Sequence, residues 1–191
     1  MVTKDIRRLL QKLNEHTTSA LEGAVGFCIT RSHYEVTVEH LFVKLLEEGS
    51  GDIPQILSHF EIDSGKVSNV LLKTLEGLRS GNAGKPTFSP RLLQLIESAW
   101  VAVSLNHEQS RIRSGALLEA LLGMDSFGLG DYMDLLSAIS SDELHRNFID
   151  IVSGSVEDAS VRRMAESEEP SIRRREGETA LDLYTLNLTG R

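Results

Sequence analysis

The apolar residues of this chain repeat at long range. Leu21, Ala24 and Cys28 are matched by Ile96, Ala99 and Val103, 75 positions further on. Thr37, Leu41 and Leu45 are matched by Ser114, Leu118 and Leu122 at a separation of 77, which implies two residues inserted between the two sets of matches. A repeat of this length means that one supersecondary unit is used twice, and that each copy buries an apolar face it cannot bury alone. Within each copy the apolar spacing is three and four, and almost no stretch alternates as a strand would. The pattern predicts an all-α fold of about eight helices: two four-helix halves, residues 14–79 and 88–154, packed as a pseudo-twofold pair.

The helix starts are written in capping residues. Asn14 is a candidate N-cap for a helix to about Arg31, Thr37 for one ending at Gly49, Asp63 for one reaching Leu78, and Ser114 for one through Leu122. Asp52, with Pro54 just after it, opens another short helix. "FSPRLL" places Phe88 at N′, Ser89 at the cap and Pro90 at the first helical position, with Leu93 set to meet Phe88. Tyr132–Ile139 reads as a short helix, and Ser140 with Glu143 as a capping box for the last one. Outside the repeat, Ile6, Leu9, Leu10 and Leu13 form a stripe on an extra helix over residues 1–13, with Lys4, Arg7, Arg8 and Lys12 largely off it. Residues 155–177 carry both charges and few large apolar groups, and read as a charged flexible linker. Residues 178–191, "ETALDLYTLNLTGR", regain apolar character and read as the start of a further segment.

Composition narrows the function classes. With 191 residues, 40% hydrophobic and 25% charged, the chain buries one sizeable core, or at most two small ones. A net charge of −8 argues against nonspecific nucleic-acid binding, which depends on lysines and arginines neutralising phosphates. No segment approaches 18 apolar residues, and "MVTKDIRRLL" lacks the apolar core of a secretory signal, so no membrane partner is expected. Cys28 is the only cysteine, which rules out an internal disulfide and suits a reducing, cytoplasmic compartment; on an apolar stripe it reads as a buried inert thiol.

Enzymatic patterns fail on spacing. "GNAGKPT" at 81–87 has the look of a phosphate loop, but a Walker A motif needs glycine where Arg79 stands and serine or threonine where Pro86 stands. Glu39 and His40 are adjacent, so on a helix they point about 100° apart and cannot share a ligand. His33 and His40 flank a turn, His16, His59, His107 and His145 are scattered, and no zincin spacing appears. No catalytic residue and no metal site is assigned.

Three stretches carry a family resemblance. "NEHTTSALEGAVGFCITRSHYEVTVEHLFVKLLEEG" resembles the first half of the Clp N-terminal double repeat, with its small-residue helix and its T-x-E-H-L helix start. "FSPRLLQLIESAWVAVSLNHEQSRIRSGALLEALL" resembles the second half, and "ALDLYTLNLTGR" is similar to the segment leading into the first AAA+ module of double-ring Clp and Hsp100 ATPases. The extra first helix and "HEQSRIRSGALLEALL" are most similar to the ClpV (TssH) family of type VI secretion. The resemblance implies a domain that binds an N-terminal helix of the VipB or TssC sheath subunit, so that the contracted sheath is dismantled. It also implies ATP and magnesium only in AAA+ modules outside this chain, no cofactor within it, a monomeric fragment, and a hexameric whole. Alternatives are a general Clp or ClpB-type domain for adaptors or unfolded protein and, from another class, a small helical hydrolase or metalloenzyme.

For docking, the candidate is a groove. Ile6, Leu9, Leu10, Leu13 and Phe27 would supply apolar walls, and Ala20, Gly23 and Ala24 the small floor that lets a partner helix approach. Phe88 is a candidate rim aromatic. The competing reading is that the first helix spends its leucines on its own domain. Its basic face can steer an acidic partner, or be merely solvated.

Overall fold

The computed structural model describes residues 2–106 and 109–158, so all but the first four residues of the linker expected over 155–177, the further segment expected over 178–191, and His107 lie outside the described residues. Among the described residues, one helix, α1 (Val2–Leu10), precedes eight others, and residues 156–158 after them are helical as well. The first half holds α2 (Glu15–Thr30), α3 (Val38–Glu47), α4 (Asp52–His59) and α5 (Ser64–Glu76); the second holds α6 (Pro90–Asn106), α7 (Ser114–Leu122), α8 (Tyr132–Leu136) and α9 (Ser141–Val152). This is the all-α pseudo-twofold double repeat. Several caps form as the sequence predicts: Asn14 accepts from the Thr17 amide at 2.9 Å, Asp63 from Gly65 at 2.8 Å, Ser89 from Leu92 at 3.1 Å and Ser140 from Glu143 at 3.3 Å.

The two halves are joined by short parallel pairings that follow the pseudo-symmetry. β1 (Glu35–Val36), just before α3, pairs with β2 (Thr87–Phe88), just before α6. Ile112, just before α7, pairs with Leu13, just before α2. The hydrogen bonds repeat as well: the cap Ser89 donates its amide to Val36 O at 3.0 Å, and the cap Asn14 donates its amide to Ile112 O at 3.0 Å. Each half therefore uses the entry to its second helix to hold the entry to the other half's first helix. Leu21, Ala24, Cys28, Ile96, Ala99 and Val103 are all fully buried in the shared core, as their repeat positions require.

The pairings correct three expectations. Helix α1 stops at Leu10, and Leu13 sits beyond it in the bridge to Ile112. The N-caps of α3 and α7 are Thr37 and Arg113, which stand 76 apart, so one residue is inserted between the repeats of the helix pairs rather than two. The cap of α4 is Gly51 and that of α7 is Arg113; Asp52 and Ser114 are first helical residues, and their side chains turn inward.

Candidate functional site

Of the nine candidate docking residues, the fold buries Leu10, Leu13, Ala20, Ala24 and Phe88 and leaves Ile6, Leu9, Gly23 and Phe27 partly open. Leu13 and Phe88 occupy equivalent places, each the residue before the cap of a repeat's first helix, and each is spent on the pairing just described. Phe88 is 7% exposed, so it belongs to the core rather than to a rim. Helix α1 takes α6 as its main neighbour, because the Leu13–Ile112 bridge draws the chain before α2 towards the second half. The groove expected between residues 6–13 and 20–27 is thereby split into two surfaces.

The first surface is α1 on α6. Ile6 and Leu9 pack against the core while keeping an open edge, and Lys4, Arg8 and Lys12 are exposed. Lys12 Nζ stands 4.7 Å over the ring of Trp100 on α6. On the same helix Val101 is 50% and Leu105 74% exposed, an apolar i, i+4 pair. The second surface lies on α2 and α3. A Cβ on Gly23 would sit 3.4 Å from Cδ of Lys44, so that aliphatic stem covers the small residue. Phe27 lies under two cations, Arg31 Cζ at 4.8 Å and Lys44 Nζ at 4.9 Å. An aromatic face already carrying two cations offers a weaker apolar wall than α1 does.

Glu39 and His40 have structural duties. His40 Nδ1 accepts the Thr37 amide at 3.0 Å, which leaves the hydrogen of the neutral ring on Nε2; that nitrogen lies 2.9 Å from Nδ1 of His33. Both rings are buried, and burial followed by mutual repulsion and by Arg31 pulls His40 down to about 4, while burial and Arg31 lower His33 too. The pair is therefore neutral and closes the α2–α3 loop. Glu39 accepts from Tyr132 Oη at 2.7 Å, tying α3 to α8. Burial, and then the Glu39 carboxylate, push that phenol above its usual range and keep it a donor. Residue spacing concealed the histidine contact because the turn at 33–37 folds His33 back.

A second buried cluster gathers residues that lie far apart in the sequence. Arg113 forms a bidentate pair with Asp52 at 2.8 Å and 2.8 Å, and a further ion pair with Asp158 at 2.6 Å. Glu157 accepts from the amides of Asp52 at 2.7 Å and Ser114 at 2.8 Å, from Ser114 Oγ at 2.5 Å and from Asn14 Nδ2 at 3.0 Å. One carboxylate thus serves the N-termini of α4 and α7 and touches the cap of α2. Burial would raise Glu157, but those donors outweigh it and hold the carboxyl below its ordinary value. Burial and the nearby Glu157 push Asp52 up to about 6 against the opposing pull of Arg113. Close approach here excludes side chains: a Cβ on Gly51 would lie 2.5 Å from His16 Nε2, and one on Gly115 would lie 3.0 Å from Phe148 and from Asp52 Cβ. The domain boundary expected at 154 falls short, since Ser155–Asp158 belong to this cluster.

Among the described residues no group of three or more His, Cys, Asp or Glu is arranged to hold a metal ion, and no helix is long and apolar enough to cross a membrane. The family model of the Clp repeat (R) N-terminal domain matches residues 12–136. The chain is similar to the AAA+ ATPase ClpV1 of Pseudomonas aeruginosa, at 30% identity over 114 residues, 60% of this chain and 13% of that protein, so it spans only about an eighth of that relative's length. Among solved structures it is similar to the N-domain of ClpV from Vibrio cholerae, with 33% identity, TM-score 0.73, and 80% of this chain and 92% of that one covered. It is also similar to a ClpV N-domain solved in complex with a VipB peptide, with 31% identity, TM-score 0.73, and 80% of this chain and 94% of that one covered.

Proposed function

Because the chain belongs to the Clp repeat N-terminal domain family, we propose that it is the substrate-docking domain of a ClpV-like AAA+ ATPase of type VI secretion. On this reading it captures an N-terminal helix of the large sheath subunit, VipB or TssC, so that the contracted sheath is unfolded and recycled. The observation that carries the proposal is its likeness to a ClpV N-domain that was solved with a VipB peptide. The domain itself performs no catalysis in this scheme. ATP and magnesium would act in AAA+ modules such as those of an AAA+ ATPase relative, within a cytoplasmic hexamer, and the 191-residue chain alone would be a monomer.

The α1–α6 surface suits this role better than the α2–α3 surface. A partner helix laid along the open edges of Ile6 and Leu9 meets apolar side chains at helical spacing, in the helix-in-groove mode. Lys4, Arg8 and Lys12 beside it favour a partner with acidic residues and chiefly raise the rate of encounter. Leu10, Leu13, Ala20, Ala24 and Phe88 would support the surface from beneath, while Gly23 and Phe27 would be secondary contacts.

The test is a calorimetric titration of the chain with a peptide of the sheath subunit's N-terminal helix. Ile6→Asp and Leu9→Asp should each weaken Kd at least about tenfold, or roughly 1.4 kcal/mol, whereas Ile149→Asp on α9, at a residue 53% exposed, should leave it unchanged. An absence of binding by the unmodified chain would overturn the docking role and favour the general adaptor-domain reading. Equal loss in all three variants would overturn the choice of surface.

A further inference from the structure

The strongest unassigned feature is the seating of the chain where it leaves the second half. After α9, Gly154 adopts φ +83°, a left-handed turn that glycine takes without strain, and the chain doubles back. Val156 then donates its amide to Ser50 O at 3.1 Å, Ser155 Oγ donates to Asp52 at 2.6 Å, Asp158 pairs with Arg113, and Glu157 enters between α4 and α7. The side chains that hold Ser155–Asp158 in place are polar: Ser155 and Glu157 are buried, whereas Val156, the one apolar residue of the segment, is 45% exposed. A segment retained by hydrogen bonds and ion pairs can exchange them for water, whereas one retained by apolar packing cannot.

The segment also reaches three parts of the fold at once. Glu157 serves α4 from the first half, α7 from the second and Asn14 at the start of α2. Asn14 is the residue whose amide is held by Ile112 and whose side chain caps α2, next to the turn that follows α1. Among the described residues no such remote carboxylate serves the equivalent start of α3, where Thr37 and His40 satisfy the helix locally.

We propose that Ser155–Asp158 is a releasable strap, with Glu157 as its catch, which fixes the outgoing chain to both repeat halves when closed and leaves the domain on a free tether when open. A force applied to the chain beyond residue 158 reaches the domain first through this catch. The strap is independent of the docking role and is tested without any partner.

The experiment is NMR on the full 191-residue chain. In the unmodified protein the amides of Asp52 and Ser114 should exchange slowly, and residues 155–158 should have order parameters near the rigid value of about 0.85. Glu157→Gln places an amide donor against donors, so exchange at Asp52 and Ser114 should rise at least about tenfold and the order parameters of 155–158 should fall below about 0.6. Amides in the middle of α2 and α6 should keep their protection. Ser155→Ala with Asp158→Asn retains the catch and should produce the same changes at smaller amplitude. Unchanged exchange at Asp52 and Ser114 in both variants overturns the proposal. So does loss of protection throughout α2 and α6 in both, which would make the segment a permanent part of the core.

Discussion

Helices α3 and α7 begin at equivalent places in the two halves, yet their first turns are satisfied by opposite chemistry. At α3 the solution is local and uncharged: Thr37 and His40 form the capping box, and His33 completes it from seven residues away. At α7 it is remote and ionic: Arg113 at the cap is paired with Asp52, and the amide of Ser114 is served by a carboxylate 43 residues downstream. The apolar positions that follow, Leu41 and Leu45 in one half and Leu117 and Leu121 in the other, are all fully buried. Duplication fixes where a helix must begin and which face it buries. It leaves each copy to find its own partners for the amides at that beginning.

Removing the charge at the second site should produce the largest effect. Arg113→Met leaves the buried Asp52 without its cation and takes the ion-pair partner from Asp158, and breaking a buried pair from one side costs about 3–5 kcal/mol. Chemical denaturation should report a loss of that order; a change under about 1 kcal/mol would mean that Ser155 and the Gly115 amide alone support the Asp52 carboxylate.

Acid should strike the first site through its histidines. His40 has its ordinary value of 6.5 when unfolded and about 4 when folded, so the unfolded chain binds the proton first. Its contribution is fully present above pH 6.5 and is lost as pH falls towards 4, at most about 3 kcal/mol. Asp52 has the opposite sign, since its folded value near 6 lies above the unfolded 3.8 and its protonation favours the folded state as pH falls across that window. Between pH 6.5 and 5 these two contributions oppose each other, so the reading is the difference between chains: in urea denaturation His40→Gln should lose less stability on acidification than the unmodified chain. An unchanged slope in the variant would place the acid sensitivity elsewhere.

The smallest effect expected is at the tie between the halves. Tyr132→Phe removes the donor from a buried Glu39 and should cost about 1–2 kcal/mol, with the pH slope of the unmodified chain retained. A loss as large as that of Arg113→Met would show that the neutral site depends on Glu39 as much as the ionic one depends on its arginine.

These contrasts mark what the sequence makes legible. The repeat, the helix count and the caps at Asn14, Asp63, Ser89 and Ser140 are readable because apolar period and local side-chain bonds lie within a few residues of each other. Asp52 and Ser114 are misread as caps, since a polar residue at a helix start looks the same whether it bonds its own helix or a group over a hundred positions away, as Asp52 does with Ser155. Glu157 hides in a stretch whose charge suggests a linker. Only a helical stripe points to the docking residues, and a stripe does not say which neighbour it meets; the Leu13–Ile112 bridge, only one residue long on each side, sends α1 to α6.

Cys28 adds a use of a different kind. Its thiol is fully buried, donates to Glu35 O at 3.3 Å and is pushed up to about 11 by burial. Because the thiolate is the reactive form, an alkylating reagent can reach this sulfur only while the α2–β1 corner is open. With no second cysteine in the chain, the rate of mass gain under such a reagent is a clock for that opening, readable without a label or a substitution.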